Sequence, residues 1–350
     1  MATRARVLDV QDDLEVINEY AYEQGWTDGL PIVPPTPARV NAMMRTVDRR
    51  PDDVVAHLPP LRAAATVEKI AISAVMAWCK PEYFPVVLAA VEAAADPRLG
   101  LLSMNTTTNP TAPFVLVNGP VRNDIDLNCS WSVLGPRKRA NATIGRALSL
   151  IMINLAGRLP EQTCKATWKM PGAFTMCAGE YEEESPWAPF HTDRGFKKDE
   201  STVTLMSPVS AVNIVDNESQ TPDELLANIN AGMLGAGSNN VFPFYGIGNM
   251  GLMLCPNHAQ LLARRYTRRQ LQEHFLTHLR LPASYLSPRR VAMMKSADMG
   301  QIEDGYVRYA ARADQFLIFV AGGLGGLHSG FFPTLGDSKA VTYPIRLPDR

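Results

Sequence analysis

The chain has 350 residues, 46% of them hydrophobic and 20% charged, with a formal net charge of −1. That balance belongs to a soluble globular protein with room for one large core or two ordinary ones, and it excludes nucleic acid and anionic membrane surfaces as partners, since neither would be attracted. The start MATRARVLDVQDDLEV has no apolar stretch before its acidic residues, and the most apolar run, ALSLIMINLAG, is too short to span a bilayer, so a cytoplasmic protein is expected.

In chain order, a first helix is expected over residues 14–24, delivering the chain to GWTDGLPIVPPT at 25–36. Glycine and proline make that stretch a rigid, turn-rich loop, and Trp26 beside Asp28 reads as the wall of a site rather than a plug. The next helix has Thr66 as its N-cap, Glu68 in its first turn, and Val67, Ile70, Ala71, Ala74, Val75 and Trp78 on one stripe. Another opens at Pro81 and runs to Ala95, where Asp96-Pro97 stops it. MNTTTNPTAP follows as a loop of hydroxyl and amide groups. Thr106 and Thr107 there suit a polar ligand, or equally a run of side-chain-to-backbone turns. Phe114 to Val117 is a wholly apolar strand, the kind covered on both faces. Asn118 follows it, and Gly119-Pro120 ends it. In RANATIGRALSLIMINLAG, Asn141 is the expected cap, Ile144, Leu148, Ile151, Met152 and Leu155 the stripe, and Gly157 the terminator.

Residues 158–207 are rich in Lys, Glu, Trp and Pro. STVTLMSPVSAVNIV reads as strands, TPDELLANINAGML as a helix, and GAGSNNVFPFYGIGNMG as a glycine-rich loop leading into the strand LMLC. PNHAQLLARRY and TRRQLQEHFLTHL form a helix pair. QFLIFVAGGLGG repeats the buried strand and glycine turn of PFVLVNGP at an offset of roughly 200 residues. The expected fold class is α/β: two related α/β lobes from an internal duplication, with mixed sheets flanked by helices. Their boundaries are a helix and Trp/Pro-rich loop over 1–65, a first lobe over 66–160, a Glu/Trp-rich middle over 161–250 and a second lobe over 251–350. Sites often lie between such lobes.

Three stretches carry chemistry. In GPRKRANATIGR, Arg137, Lys138 and Arg139 precede a helix N-terminus and Arg146 lies about one turn further along. Free amides and guanidinium groups together suit phosphate, sulfate or carboxylate, and a solvated basic loop is the alternative. AGGLGGLHSG, with His328, presents backbone amides after a buried strand, yet neither GxGxxG nor GxxxxGK[ST] occurs, so a standard dinucleotide fold or P-loop is not expected. CAGEYEEESPW gathers Glu180, Glu182, Glu183 and Glu184 next to Trp187. In an extended segment Glu180, Glu182 and Glu184 would share one side, and crowding would raise one of them into the range of a general base. A solvated acidic loop is the competing reading. The five cysteines are scattered without a CxxC pair, and His274 and His278, four apart, lack a third ligand, so buried thiols and no metal are expected. No Ser-His-Asp or Cys-His pairing can be read from spacing alone.

Taken in order, GWTDGLPIVPPT, TVEKIAISAVMAWCKPEYFPVV, VNGP, RANATIGRA, CAGEYEEESPW and PNHA resemble a bacterial family associated with the UGSC-type (seleno)protein domain, named for a selenocysteine or cysteine motif. The resemblance covers most of the chain. No CGSC sequence is present here, so the resemblance implies a partner polypeptide that carries it, and hence one half of a two-component enzyme of natural-product biosynthesis. A weaker resemblance is to two-component enzymes that use 3′-phosphoadenosine-5′-phosphosulfate (PAPS) to sulfonate a hydroxyl and then close an aziridine ring.

The expected function is therefore an enzyme subunit, transferase or lyase, in a hetero-oligomer. Arg137, Lys138, Arg139, Asn141, Thr143 and Arg146 would hold an anionic cofactor, with PAPS as the best candidate. Glu68, Glu180 or Glu184 would act as base. Trp26, Asp28, Thr106, Thr107, Asn118, Trp187 and His328 would contact substrate. The alternatives are a non-catalytic scaffold for a redox-active (seleno)cysteine partner, and a stand-alone hydratase or lyase using the carboxylates.

Overall fold

The computed structural model describes residues 5–235, 237–241, 248–296 and 302–348. Part of the expected glycine-rich loop at 235–251 lies outside them. α1 (Leu14–Glu23) is capped by the Asp13 carboxylate, which accepts from the amides of Glu15 and Val16. α2 (Pro37–Met44) follows the Gly25–Thr36 loop, and a hairpin of β1 (Val54–Leu58) and β2 (Ala63–Thr66) leads into α3 (Val67–Met76), capped by Thr66 as expected. Trp78 departs from the expected stripe: its φ of +71° turns the chain, and the side chain is 54% exposed. α4 (Phe84–Ala95) begins after a short turn at Pro81–Tyr83. α5 (Leu101–Thr106) takes up the first part of the expected polar loop, because Leu101 and Met104 find a core to bury into. β3 (Phe114–Asn118), α6 (Val121–Asp124), α7 (Arg139–Asn154), β4 (Cys177–Gly179), β5 (Thr202–Met206) and β6 (Val212–Val215) complete the first part. α8 (Pro222–Met233), β7 (Met250–Leu254), α9 (Pro256–Ala263) and α10 (Arg268–His278) come next. A small sheet of β8 (Arg280–Pro282), β9 (Ile302–Glu303) and β10 (Tyr306–Arg308) flanks α11 (Pro288–Ser296). β11 (Phe316–Val320), β12 (His328–Phe332) and β13 (Val341–Pro344) close the chain.

Two four-stranded mixed sheets organise these elements, in the orders β13-β5-β3-β4 and β6-β12-β7-β11. Each has one parallel pair, β3 with β4 and β7 with β11, and two antiparallel pairings beyond it. The sheets thus share one strand order and one set of directions. Their fourth strands are exchanged: β6 follows β5 in the chain but pairs in the second sheet, whereas β13 follows β12 and pairs in the first. The match corrects the expected pairing of PFVLVNGP with QFLIFVAGG. The counterpart of β3 is β7, and β11 corresponds to β4. Both are five-residue apolar strands before a turn, which is why the sequence pattern could not separate them.

Wholly buried strands follow from a four-layer stack. Alternate residues of the first sheet, Val115, Val117, Val203 and Leu205, pack with α3, α4 and α7. The opposite set, Phe114, Leu116 and Met206, meets Leu317, Phe319 and Phe332 of the second sheet, and Phe114 lies edge-on to Phe319 at 6.0 Å. The outer face of the second sheet packs on α8, α9 and α10 through Leu252, Ile318 and Phe331. With both faces covered, neither side of a strand needs polar residues.

The Gly25–Thr36 loop is fastened to α7. Arg146 donates from Nε and Nη2 to the two oxygens of Asp28 at 2.8 and 2.9 Å, and from Nη2 to the carbonyl of Pro31 at 2.8 Å. The side chain of Asn154 donates to the Trp26 carbonyl at 2.9 Å. Asp28 is 4% exposed in its side chain and Arg146 16%, so solvent screens the pair little. Replacing Asp28 with alanine is expected to cost about 2 kcal/mol, seen as a lower urea midpoint and faster proteolysis at this loop. An unchanged midpoint would mean that the loop holds itself in place.

Candidate functional site

The C-terminal ends of the two parallel strand pairs converge. Glu180 N–H donates to the Val117 carbonyl just past the β3–β4 register, and Ala321 N–H donates to the Leu254 carbonyl just past β7–β11. By the same correspondence Cys255 holds the position in the second sheet that Asn118 holds in the first. The two ends are tied together where Tyr181 N–H donates to the Val320 carbonyl at 2.7 Å and Gly322 N–H to the Cys129 carbonyl at 2.9 Å. Such strand ends are where α/β sheets collect ligands.

Glu180 sits at this junction, fully buried. Its Oε2 accepts from the Asn118 side chain at 2.5 Å and from the Phe190 amide at 2.6 Å. Its Oε1 faces the Val320 amide at 3.5 Å and Arg268 at 3.7 Å. Burial pushes the carboxyl up to about 7, against the pull of Arg268, the Phe190 amide and Asn118. Glu182 accepts from the Gly119 amide at 2.7 Å and from Asn118 at 3.0 Å, and pairs with Arg122 at 3.0 Å. Gly119 has φ +85°, and a Cβ there would lie 2.3 Å from the Glu200 carbonyl oxygen, so only glycine permits this turn. Arg122 also reaches the Glu180 carbonyl at 2.7 Å and Glu183 at 3.1 Å. Arg268 donates to Asp193 at 2.8 Å and to the Ala188 carbonyl at 2.6 Å, with its guanidinium 5.9 Å from the Trp187 ring.

Four buried polar atoms, on the residues that contact this carboxyl or on segments adjoining them, have no hydrogen-bond partner among the described residues: Asn118 Oδ1, His191 Nδ1, Thr202 Oγ1 and Arg268 Nε. Asn118 binds Glu180 directly, Arg268 faces it, Thr202 is the β5 partner of Asn118, and His191 follows Phe190. With Nε2–H of His191 given to the Lys197 carbonyl at 2.9 Å, its Nδ1 is left as an acceptor. Native interiors satisfy nearly all such groups, so these four atoms have capacity left for a water or a ligand.

The structure brings Asn118, Glu180 and, through Arg268, Trp187 together, and it separates the rest. The acidic stretch is a turn at 182–184 rather than extended, so Glu180 and Glu182 converge on the Asn118 amide, as the expected crowding requires, while Glu184 is turned away from them. Glu184 instead accepts from Gln260 on α9 at 3.4 Å. Glu68 and Trp26 line a different feature, a largely apolar cavity of about 670 Å³ between the N-terminal segment, α1, α2 and α3. Asn141 is not the cap of α7, which begins at Arg139. It lies inside the helix, buried, donating to the Asn128 and Cys177 carbonyls at 3.0 Å each. Thr143 bonds the Arg139 carbonyl at 2.8 Å. Lys138 pairs with Asp126 at 2.7 Å, Arg139 lies over the Trp78 ring at 4.0 Å, and Arg146 holds Asp28. Arg137 is exposed. Gly145 is needed for close packing of Thr175 and Met176, whose nearest atoms would lie 2.4 and 2.7 Å from a Cβ. Thr106 bonds the Leu102 carbonyl, and Thr107 accepts from the Asn109 amide, as in the side-chain-to-backbone alternative. His328 is exposed on β12, paired with Asn213 at 3.0 Å.

Sequence reasoning missed Arg122, His191, Thr202 and Arg268. Each is ordinary in its own segment and acquires a role only when β3, β4, β5 and α10 meet. No protein-family model matches this chain, and no curated protein does. Among the described residues, no helix is long and apolar enough to cross a membrane.

Proposed function

We propose that this chain is the acid–base subunit of a two-component enzyme that modifies a small polar molecule, with Glu180 taking and returning the proton. The observation that carries this reading is the fully buried Glu180, bonded by Asn118 and faced by Arg268, with Asn118 Oδ1 and Arg268 Nε, and Thr202 Oγ1 and His191 Nδ1 on the adjoining segments, all without partners among the described residues. Asn118 and His191 offer acceptors, Arg268 a donor and Thr202 either, a set that fits a ligand with hydroxyl or amino groups. A carboxyl that titrates near neutrality is matched to proton transfer at physiological pH. Arg268, itself buried, would face negative charge developing on an attacking or leaving oxygen.

The second component belongs to the same proposal. It follows from the resemblance to the UGSC-associated family, and exposed Trp131, Leu134, Leu324 and Leu327 near the junction offer apolar surface for it. PAPS remains the proposed group donor and the cytoplasm the proposed compartment. With Lys138, Arg139 and Arg146 engaged by Asp126, Trp78 and Asp28, a sulfonucleotide at α7 would rely on Arg137 or displace one of those partners.

The test is turnover with the partner present. Glu180→Gln is expected to reduce the rate about 10²–10⁴-fold while leaving partner affinity unchanged. Full activity in that variant would remove Glu180 from the chemistry, and a loss of affinity alone would favour a scaffold. PAPS at about a hundred times its Kd should stabilise the complex by about 2.7 kcal/mol, and no shift would remove it as donor.

A further inference from the structure

The second sheet carries different chemistry at the position equivalent to Asn118. Cys255 directly follows β7 and occupies the N-cap position of α9 without a side-chain cap bond, buried to 3% exposure. Its thiol donates to the Gly326 carbonyl at 3.3 Å, and its amide donates to Ser329 Oγ at 3.3 Å. The same Ser329 hydroxyl lies 2.8 Å from Nδ1 of His258, one turn along α9, and Nε2 of that ring lies 3.0 Å from the Asp216 carbonyl. A carbonyl can only accept, so Nε2 carries the hydrogen and Nδ1 keeps its lone pair toward Ser329. The ring is therefore held in one tautomer by the chain reversal after β6 and presented as a base. The thiol also stands at the start of a helix, where the free amides favour an anion.

The other thiols are not built this way. Burial raises Cys79, Cys129 and Cys177, whereas at Cys255 burial is outweighed by hydrogen bonding to, and the charge of, His258, and the thiol is lowered. Over Cys255 runs the loop Gly322–Gly326. A Cβ at Gly326 would lie 3.4 Å from Cys255 Cβ and 2.9 Å from the Gly323 carbonyl oxygen, so the cover is backbone rather than side chain.

We infer that Cys255 is a nucleophile activated by His258, acting on a small molecule that has an electrophilic carbon with a leaving group and enters beneath the Gly322–Gly326 loop. Sγ attacks the carbon, an S–C bond forms, the bond to the leaving group breaks, and that group departs with its electron pair. The thiol proton leaves by way of the Ser329 hydroxyl, which lies between the two residues and passes its own proton to Nδ1 of His258, and the Asp216 carbonyl steadies the resulting imidazolium through Nε2–H. Ser329 thus both orients the ring and relays the proton. The inference stands on different residues from Glu180 and needs neither a partner nor turnover.

Iodoacetamide is the simplest molecule of this class, with iodide as the leaving group. The full chain is treated with it in the folded state and the labelling rate of each cysteine is read by peptide mass spectrometry across pH. Cys255 is expected to label at neutral pH, with a midpoint below that of an ordinary thiol. In His258→Gln, which keeps a donor for the Asp216 carbonyl, the rate at neutral pH should fall about tenfold and converge with the wild type in alkali. If His258→Gln does not fold, Ser329→Ala should show the same shift of midpoint. Cys79, Cys129 and Cys177 should stay unlabelled. Labelling of half-exposed Cys164 without Cys255 in the folded chain, or the same Cys255 profile in a folded His258 or Ser329 variant, would overturn the assignment. Because labelling requires no acid–base step at Glu180, its failure would leave that reading intact.

Discussion

Replacing Arg122 with methionine is expected to destabilise the protein by about 3–5 kcal/mol, the usual cost of removing one partner from a buried ion pair. The guanidinium is 3% exposed and the Glu182 side chain 9%, so water cannot take over. Removing it leaves the Glu182 carboxylate without its cation and the Glu180 and Gly119 carbonyls without the donors that reach them at 2.7 and 3.0 Å. Glu183 contributes less, because its side chain is 50% exposed and screened. Adding Glu182→Gln to the variant removes the uncompensated charge and should recover about 1 kcal/mol or more as a coupling between contacting sites. Urea unfolding of the two single variants and the double variant measures it. A loss below about 1 kcal/mol for Arg122→Met would show that this network is held by the backbone rather than by charge.

How much of this arrangement was legible in the sequence differed by element. Local chemistry was: Thr66 caps its helix, and the apolar strands are covered on both faces. Mixed sheets flanked by helices were legible, but the repeat of strand and turn matched β3 to β11 instead of β7, and the exchange of β6 and β13 was not legible, since an edge strand is specified by what it pairs with and not by its own residues. The cap of α7 was misread because Asn141 has the right side chain at the wrong turn. Its amide is used across the fold, on Asn128 and Cys177. Trp26 and Asp28 were noticed together, yet Asp28 serves Arg146 while Trp26 lines the apolar cavity. Charge is the hardest quantity to read from a string. Glu180 and Glu183 sit three residues apart in one acidic run, and burial raises the first while Arg122, opposing burial, holds the second below the ordinary range. Cys255 and His258 stand close together in CPNH, yet no Cys-His pairing was read there, because the Ser329 hydroxyl and the Asp216 carbonyl that fix the ring come from distant segments.

Stability should fall with rising pH less steeply in Glu180→Gln than in the wild type, by on the order of 3 kcal/mol across the titration. The carboxyl is raised from 4.5 in the unfolded chain to about 7 in the fold. Below the unfolded value both states hold the proton and the contribution is complete. As pH rises from there, the unfolded chain releases its proton first, and the contribution drains away until the folded carboxyl also ionises near 7. Above that, the difference is constant. His258 is raised as well, by Cys255 and the Asp216 carbonyl against the effect of burial, and drains in the same direction. It is present in both proteins, so the difference between their pH profiles isolates Glu180. Urea midpoints across the acid-to-neutral range measure that difference. Parallel profiles would mean that Arg268 and Asn118 offset the desolvation of Glu180 and leave it an ordinary carboxylate. An ordinary carboxylate is fully ionised at neutral pH and has no proton to return, so that outcome would also remove the physical basis for its acid–base role.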